Sequence, residues 1–334
     1  MSDTETLSLS DARSLMTRAI CAVGVPEATA TSVAAALVAA EAEGQVGHGF
    51  SRLSDYVAQA KSGKVNALAK PTFSLPTTTA IHIDANNGFA YPALDMAVDA
   101  LIKTGLKHGS AFATISKSHH CGALSVQVGK LAQAGLIGIM MANTPLAIAP
   151  WGAKQAKFGT NPIAFAVPRV AQPPMVIDLS LSKVARGKVM HAKKSGTEIP
   201  ADWAFDKDGN PTTDPEAALA GTMAPIGGAK GTSLALMVEI LAATLSGANP
   251  SSDVSSFFTA DGPPPGAGQF LMALKPHDEG FGTRLEPLLT QIAELEGARL
   301  PGSRRINAMA EAESKGLNVP QAYVDQARAL ADSA

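Results

Sequence analysis

A histidine and an arginine lie four residues apart in the segment Gly47-His48-Gly49-Phe50-Ser51-Arg52. Histidine can hold or release a proton near neutral pH, and an arginine guanidinium can bind a carboxylate with two hydrogen bonds. On one helical turn the two side chains would share a face. The pair fits a 2-oxo or 2-imino acid, with His48 as proton donor and Arg52 as carboxylate ligand. A loop histidine beside a surface arginine is the alternative.

A second segment, Ser118-His119-His120-Cys121-Gly122-Ala123, follows a predicted strand and opens a predicted helix. Free backbone N–H groups at a helix start bind anions such as pyrophosphate. The adjacent histidines have no third ligand at a recognisable metal spacing, so we expect no metal site. Cys121 is either a nucleophile or, as is commoner, a small buried thiol.

Four further segments combine turn residues with polar or charged side chains. They are Gly159-Thr160-Asn161-Pro162, the end of the apolar run at Asp178, Gly227-Gly228-Ala229-Lys230-Gly231, and Leu300-Pro301-Gly302-Ser303-Arg304-Arg305. Two interpretations of each segment stay open. It is either an ordinary turn, cap or helix entry, or it is part of a ligand site. As ligand sites they offer Asp178 to a ligand hydroxyl, a phosphate cradle at Lys230, and an arginine pair for phosphate.

The elements that must position these residues alternate between helices and strands. Helices are predicted at 10–23, 28–43, 52–61, 94–107, 123–134, 183–194, 232–245, 283–295, 307–314 and 321–332. Strands are predicted at 80–84, 111–115, 136–141, 163–167, 175–179 and 270–274. The segment 203–214 reads as a turn or hairpin. The loop 251–268 is rich in proline, glycine and serine, and long loops inside domains often cover sites.

This pattern predicts an α/β protein in three parts. Residues 1–70 form an N-terminal helical segment, 71–300 an α/β core that binds cofactor and substrate, and 301–334 a C-terminal helical segment that packs with the first. No Gly-x-Gly-x-x-Gly follows a predicted strand, and there is no Walker A sequence. A nucleotide enzyme built on this chain therefore needs a non-Rossmann site.

Composition excludes several classes of protein. The 334 residues are 46% hydrophobic and 17% charged, which describes a globular chain. A formal net charge of −2 gives no basic footprint for nucleic acid or an anionic membrane. The longest apolar stretch, 136–142, is too short to cross a bilayer, and the acidic N-terminus lacks the features of a signal peptide. The chain has only two cysteines, which suggests a reducing compartment. We therefore expect a soluble cytoplasmic protein.

Taken together and in this order, the segments resemble the malate/L-lactate dehydrogenase family, and within it the Δ1-piperideine-2-carboxylate/Δ1-pyrroline-2-carboxylate reductases. The resemblance spans nearly the whole chain. It implies a non-Rossmann mixed-sheet core of the sulfolactate-dehydrogenase-like type, a homodimer and a nicotinamide cofactor. Ser118-His119-His120 favours the ketimine reductase branch, and with it NADPH, although NADH remains possible.

The resemblance also implies roles for individual residues. The family's proton donor falls on His48, its carboxylate-binding arginine on Arg52, and a position near the substrate on Thr160. Its cofactor-binding positions fall on His119, His120, Cys121, Gly122, Ala123, Asp178, Leu179, Ser180, Ala229, Lys230, Gly302, Arg304 and Arg305.

The chain departs from the family pattern at two positions. Gly47 stands where the family usually has a serine that relays charge to the histidine, so another side chain or water must orient His48. Ala229 stands where relatives often have a histidine, which removes one polar contact to the cofactor.

The leading hypothesis is therefore NAD(P)H-dependent reduction of Δ1-pyrroline-2-carboxylate or Δ1-piperideine-2-carboxylate to L-proline or L-pipecolate. The alternative is an NAD(P)-dependent 2-hydroxy acid dehydrogenase of the malate, lactate, ureidoglycolate or sulfolactate type. A non-catalytic cofactor-binding protein is a third hypothesis, supported only by Gly47. A metal-dependent hydrolase is a weaker fourth.

Overall fold

The computed structural model of the chain describes residues 3–333. Its strands are β1 (Thr4–Leu7), β2 (Thr72–Ser74), β3 (Ala80–Asp84), β4 (Ser110–Ser118), β5 (Ile137–Ala142), β6 (Ile163–Val167), β7 (Met175–Leu179), β8 (Ala204–Phe205), β9 (Thr222–Met223), β10 (Ala267–Leu274) and β11 (Leu317–Pro320). Its α-helices are α1 (Leu9–Cys21), α2 (Glu27–Ala42), α3 (Leu53–Ser62), α4 (Ala90–His108), α5 (Leu124–Gln133), α6 (Arg186–Ser195), α7 (Pro215–Ala220), α8 (Ala229–Val238), α9 (Phe281–Ala293), α10 (Ser303–Lys315) and α11 (Gln321–Ala331).

A mixed seven-stranded sheet with the order β2-β3-β4-β10-β5-β6-β7 lies at the centre. Only β3 and β4 pair in parallel; the other neighbours are antiparallel. The six strands predicted from the sequence all lie in this sheet, which confirms the mixed-sheet α/β class. The edge strand β2 was not predicted because it has only three residues, all exposed, which is too short for a periodic pattern.

One hydrophobic core joins the sheet to the helices around it. α4 buries Leu94, Val98 and Leu101 at helical spacing, and the same core includes Leu37 of α2 and Val324 of α11. This core contains residues from both sides of the predicted boundaries at 70 and 300. The division into three parts therefore remains a prediction about chain organisation.

The two ends of the chain lie side by side. β1 pairs with β11 in antiparallel register, with Thr4 opposite Pro320 and Leu7 opposite Leu317, and α1 packs against α11. Neither four-residue strand was predicted, because pairing partners more than 300 positions apart leave no local pattern.

Several helix ends differ from the prediction, among them the start of α1 and the end of α8. α1 begins at Leu9 because the Ser8 hydroxyl accepts a hydrogen bond from the Asp11 amide at 3.0 Å, which makes Ser8 the N-cap. The predicted helix 232–245 is α8 followed by a π-helical turn, Glu239–Thr244. Such turns occur frequently at functional sites. None of the helices within residues 3–333 has the length and apolar character needed to cross a membrane.

Candidate functional site

The segment with the His–Arg pair forms two short 3₁₀ helices, Val46–His48 and Phe50–Arg52, that meet at Gly49. His48 and Arg52 therefore do not lie on one continuous helical turn. The cause is Glu41 at the end of α2, which is buried and accepts a hydrogen bond from the Phe50 amide at 2.8 Å. A Cβ atom on Gly49 would overlap with this carboxylate. Glu41 thus fixes the path of the chain between His48 and Arg52.

The guanidinium of Arg52 is held on three sides. Its Nε donates to the carbonyl of Gly47 at 2.8 Å, its Nη1 lies 3.5 Å from a carboxylate oxygen of Asp55, and its central carbon lies 4.3 Å from the centre of the Phe258 ring. Within residues 3–333 we find no hydrogen bond from Nη2. The arrangement fixes the guanidinium and keeps one edge ready for an anion.

A ring contact orients His48, which follows Gly47. The His48 ring stacks on His120 with centroids 5.6 Å apart and planes at 18°. The His120 Nδ1 lies 2.6 Å from the Tyr56 hydroxyl, which lies 2.9 Å from the buried Tyr91 hydroxyl. The ring nitrogens of His48 make no hydrogen bond to any described residue. A histidine fixed by two tyrosines therefore provides the surface against which His48 lies.

Both stacked histidines are neutral at pH 7. Desolvation and, second, the positive charge of Arg52 lower the pKa of His48 to about 4. Desolvation and nearby charges hold the pKa of His120 well below its usual value. In the ligand-free protein His48 can accept a proton at neutral pH, and it becomes a proton donor when its surroundings raise its pKa.

We expect the His48 ring to titrate with a midpoint at about pH 4 in the free protein. In Arg52→Ala the midpoint should rise, because the charge of Arg52 is the second cause of the shift. NMR of isotope-labelled histidine rings measures both values, with the His48 signal assigned by its absence from His48→Ala. A midpoint near the usual value of about 6.5 would contradict this environment.

His119 is a core residue in this structure. Its side chain is 1% exposed, its ring packs against Tyr56 and Phe257, and its Nε2 lies 2.6 Å from the Gln59 amide oxygen. Its Nδ1 has no partner among the described residues. The next residue but one, Cys121, is also buried, and desolvation raises its thiol pKa. Cys121 therefore matches the buried-thiol alternative and not a nucleophile.

One of the amides that were expected to be free at the start of α5 is occupied. The amide of Ser125 donates to the Asp178 carboxylate at 2.9 Å, so Asp178 caps this helix. Burial raises the pKa of Asp178 and also that of Glu43, whose carboxylate accepts from the Ser125 hydroxyl at 2.5 Å. A carboxylate already at this helix end disfavours a pyrophosphate there, but can accept a hydrogen bond from a ribose hydroxyl.

The two arginines at the start of α10 have different surroundings. Arg305 donates to the backbone carbonyls of Val176 at 3.3 Å and Asp178 at 3.0 Å, so it ties α10 to β7. Arg304 is exposed. Gly302 has φ +80°, and a Cβ there would overlap with the carbonyl of Val176, so this close approach requires glycine. Leu179 is exposed and Ser180 contacts Ser182 at 3.0 Å.

The start of α8 has the features of a phosphate site. Gly227 and Gly228 have φ of +62° and +61°, and no side chain caps the helix. Ala229 and Lys230 follow and are exposed. Backbone N–H groups at an uncapped helix start, next to a lysine, suit the phosphates of a nicotinamide dinucleotide. Of the two predicted helix starts, that of α5 has a carboxylate on its Ser125 amide and that of α8 has none.

A loop connects Thr160 to the histidine cluster, by which we mean His48, His119 and His120. Its amide donates to the Thr144 hydroxyl at 2.9 Å, and the neighbouring Gly159 amide donates to the Ser251 hydroxyl at 3.1 Å. Ser251 begins a segment, residues 251–261, that we name the bridging loop. Its Phe257 and Phe258 contact the rings of the histidine cluster and Arg52, respectively.

Sequence reasoning missed several residues of this site, namely Glu41, Tyr56, Phe257 and Phe258. Tyr56 had the best signal, because it lies on the apolar face of α3. No group of three or more histidine, cysteine, aspartate or glutamate side chains that could hold a metal ion occurs among residues 3–333.

The chain is similar to known oxidoreductases over almost its whole length. The family model described as malate/L-lactate dehydrogenase matches residues 7–327. The (2R)-3-sulfolactate dehydrogenase (NADP(+)) of Chromohalobacter salexigens is 46% identical over 98% of each chain. The Delta(1)-pyrroline-2-carboxylate reductase 2 of Burkholderia multivorans is 36% identical over 99% of this chain and 98% of the relative. The solved structure of a delta1-piperideine-2-carboxylate reductase from Pseudomonas syringae superposes with a TM-score of 0.93 and 36% identity, covering 98% of this chain and 100% of that one.

Proposed function

Because the chain belongs to the malate/L-lactate dehydrogenase family, we propose that it is an NADPH-dependent oxidoreductase that reduces a small cyclic imino acid at C2. The observation that supports this substrate is the composition of the site. Beside the stacked histidines it has one guanidinium, Arg52, for a carboxylate, and the partly exposed ring of Phe258 for an apolar ring. The buried rings of Tyr56 and Phe257 pack against His120 behind them.

Arg52 binds and orients the substrate in this proposal. Its carboxylate-binding edge includes Nη2, while Gly47 and Asp55 hold the other side of the guanidinium. A paired carboxylate neutralises the charge that Arg52 exerts on His48. That part of the pKa depression is then removed, so binding of the substrate favours protonation of His48.

His48 then supplies the proton to the nitrogen of the imine, and His120 keeps its ring in place. When bound, the reduced nicotinamide supplies the hydride to C2. The backbone amides of the exposed residues Ala229 and Lys230, the exposed Arg304, and the carboxylate of Asp178 are the groups that would hold the cofactor, with Asp178 on a ribose hydroxyl. His120, Gly122 and Ala123, between β4 and α5, remain proposed cofactor contacts.

A second candidate is the oxidation of a 2-hydroxy acid of the sulfolactate type. The 46% identical relative is a sulfolactate dehydrogenase, and it supports this candidate. His48 is neutral in the free protein and so is ready to accept the hydroxyl proton. A sulfonate would need a second cationic or N–H donor group besides Arg52.

Label transfer tests the proposed reaction. With NADPH carrying deuterium at both C4 positions, we expect one deuterium at C2 of the proline or pipecolate formed from the corresponding imino acid, measured by mass spectrometry. Incubation with 3-sulfopyruvate tests the second candidate in the same way. Label in sulfolactate alone would replace the first candidate by the second, and label in no product would contradict both.

The role of Gly47 leads to a further prediction. A Cβ at Gly47 meets nothing within 4 Å, so Gly47→Ser should fold normally. If a serine hydroxyl can hydrogen-bond to the His48 ring, it should favour the protonated form and raise kcat at neutral pH. Steady-state kinetics measure the change, with Gly187→Ser, also at an open position, as the matched control. A folded but slower variant would show that this site depends on glycine.

The homodimer is part of the same proposal. Exposed apolar side chains on and after α8, among them Leu236 and Ile240, support an interface there. Light scattering would measure the mass, and a monomer would contradict this part.

A further inference from the structure

The first end of the bridging loop is tied to the loop of Thr160. The amide and hydroxyl of Ser251 donate to the Glu239 carboxylate at 2.5 and 2.7 Å. The same carboxylate accepts from the Asn161 side chain at 2.9 Å. Glu239 lies in the π-helical turn after α8 and is buried. One buried carboxylate therefore holds two segments of the site together.

A buried lysine holds the other end. Lys64, two residues after α3, is 2% exposed. Its ammonium donates to the backbone carbonyls of Ser256 at 2.7 Å, Thr259 at 2.9 Å and Asp261 at 2.9 Å. An ammonium has three N–H donors, so this contact satisfies all of them. Hydrogen bonds from a charged donor are about twice as strong as neutral ones.

Helix α3 provides two more contacts to the same part of the loop. The Gln59 amide donates to the carbonyl of Phe257 at 2.9 Å, and the Ser62 hydroxyl donates to the carbonyl of Ala260 at 2.8 Å. Five successive or nearly successive carbonyls of the loop thus accept from α3 and Lys64. The loop has little conformational freedom despite its length.

The clamped part of the loop presents two aromatic rings to the site. The Phe257 ring lies 5.1 Å from the His120 ring, and the Phe258 ring lies 4.3 Å from the guanidinium carbon of Arg52. Phe257 is buried, whereas Phe258 is 40% exposed. The position of the Arg52 guanidinium therefore depends on where the loop places Phe258.

We propose that Lys64 is a positioning residue for the reaction, whose ammonium fixes the bridging loop so that Phe258 holds Arg52 ready for the substrate carboxylate. Lys64 touches neither Arg52 nor His48 by hydrogen bonds; it acts through the loop backbone. The kinetic part of this proposal rests on the proposed function. The structural part does not, and it can be measured without a substrate.

Limited proteolysis with chymotrypsin tests the structural part. Cleavage after Phe257 or Phe258 requires local opening of the loop. In Lys64→Met we expect cleavage there to be at least about tenfold faster, because three charge-assisted hydrogen bonds are lost. The control is Lys61→Met, an exposed position on α3, which should be cleaved like the wild type. Mass spectrometry identifies the site. Equal rates in Lys64→Met and wild type would overturn the proposal.

Kinetics test the link to the site. Lys64→Met should raise KM for the carboxylate substrate by about tenfold or more, because small displacements of a binding group have large effects. KM for NADPH should change much less. Phe258→Ala, at a partly exposed position that does not threaten folding, should give a similar rise in substrate KM. The substrate KM of the double variant should be no higher than that of the more affected single variant. An unchanged substrate KM in Phe258→Ala, or additive effects in the double variant, would overturn the proposal.

The outcomes separate this inference from the proposed function. If the wild type reduces none of the substrates tested, the proposed function fails while the cleavage comparison still decides whether Lys64 clamps the loop. If Lys64→Met does not fold, Phe258→Ala decides the kinetic part.

Discussion

Replacement of His48 by alanine is expected to lower kcat by roughly 10²- to 10⁴-fold, the range associated with loss of a positioned acid–base group. The NADPH dissociation constant should change little, because the groups expected to bind the cofactor are on other elements, such as Lys230 at the start of α8. His48 stacks on His120, and its loss leaves Tyr56 and Tyr91 in place. The loss should therefore appear in turnover and not in stability.

Stopped-flow or steady-state assays give kcat, and quenching of NADPH fluorescence gives cofactor affinity. The matched control is His108→Ala, because His108 is an exposed histidine at the end of α4. Wild-type turnover in His48→Ala with both candidate substrate classes would remove His48 from the mechanism. Equal losses in both variants would show a general effect of the substitutions.

Replacement of Arg52 by alanine is expected to weaken substrate binding by about 1.5–3 kcal/mol, the usual contribution of a hydrogen bond to a charged group. This corresponds to a rise in KM of roughly 10- to 150-fold. Part of the effect has a second cause, because Arg52 also ties the loop carbonyl of Gly47 to Asp55. Arg52→Lys separates the two, since lysine keeps the charge but not the planar fork.

The KM for the imino or oxo acid, compared with that for NADPH, measures this effect. Arg13→Ala, at an exposed arginine of α1, is the matched control. A substrate KM that stays at the wild-type value in Arg52→Ala would place the carboxylate elsewhere. A loss confined to kcat would mean that Arg52 acts on the proton donor and not on the substrate.

The sheet and the His48–Arg52 pair could be predicted because both leave local signals. Strand β5 is a continuous apolar run, and β6 and β7 follow turn residues. The geometry of the pair could not be predicted. A four-residue spacing is compatible with one helical turn, but the helical path is interrupted at Gly49. There the buried carboxylate of Glu41 leaves no room for a side chain.

The residues that fix the site gave no signal because their partners are distant in sequence. Lys64 follows a helix-ending glycine, Gly63, and reads as a surface lysine, yet its acceptors lie 192 to 197 positions away. Asp178 could be read as a ligand group or a helix cap, and only the position of Ser125 beside it shows the cap. Glu41 reads as the solvent-facing end of α2. Burial of a charge follows from tertiary packing and not from local pattern.

The central claim is hydride transfer to C2 of a small imino or oxo acid whose carboxylate is bound at the His48–Arg52 pair. Absorbance at 340 nm tests it most directly. Purified protein is mixed with NADPH and, in parallel, with Δ1-pyrroline-2-carboxylate, Δ1-piperideine-2-carboxylate, 3-sulfopyruvate, pyruvate, oxaloacetate and glyoxylate, with Arg52→Ala as the comparison. We predict rapid NADPH oxidation with the cyclic imino acids that is strongly reduced in Arg52→Ala. Activity confined to 3-sulfopyruvate would move the protein to the 2-hydroxy acid branch, and the absence of oxidation with every substrate would contradict the claim.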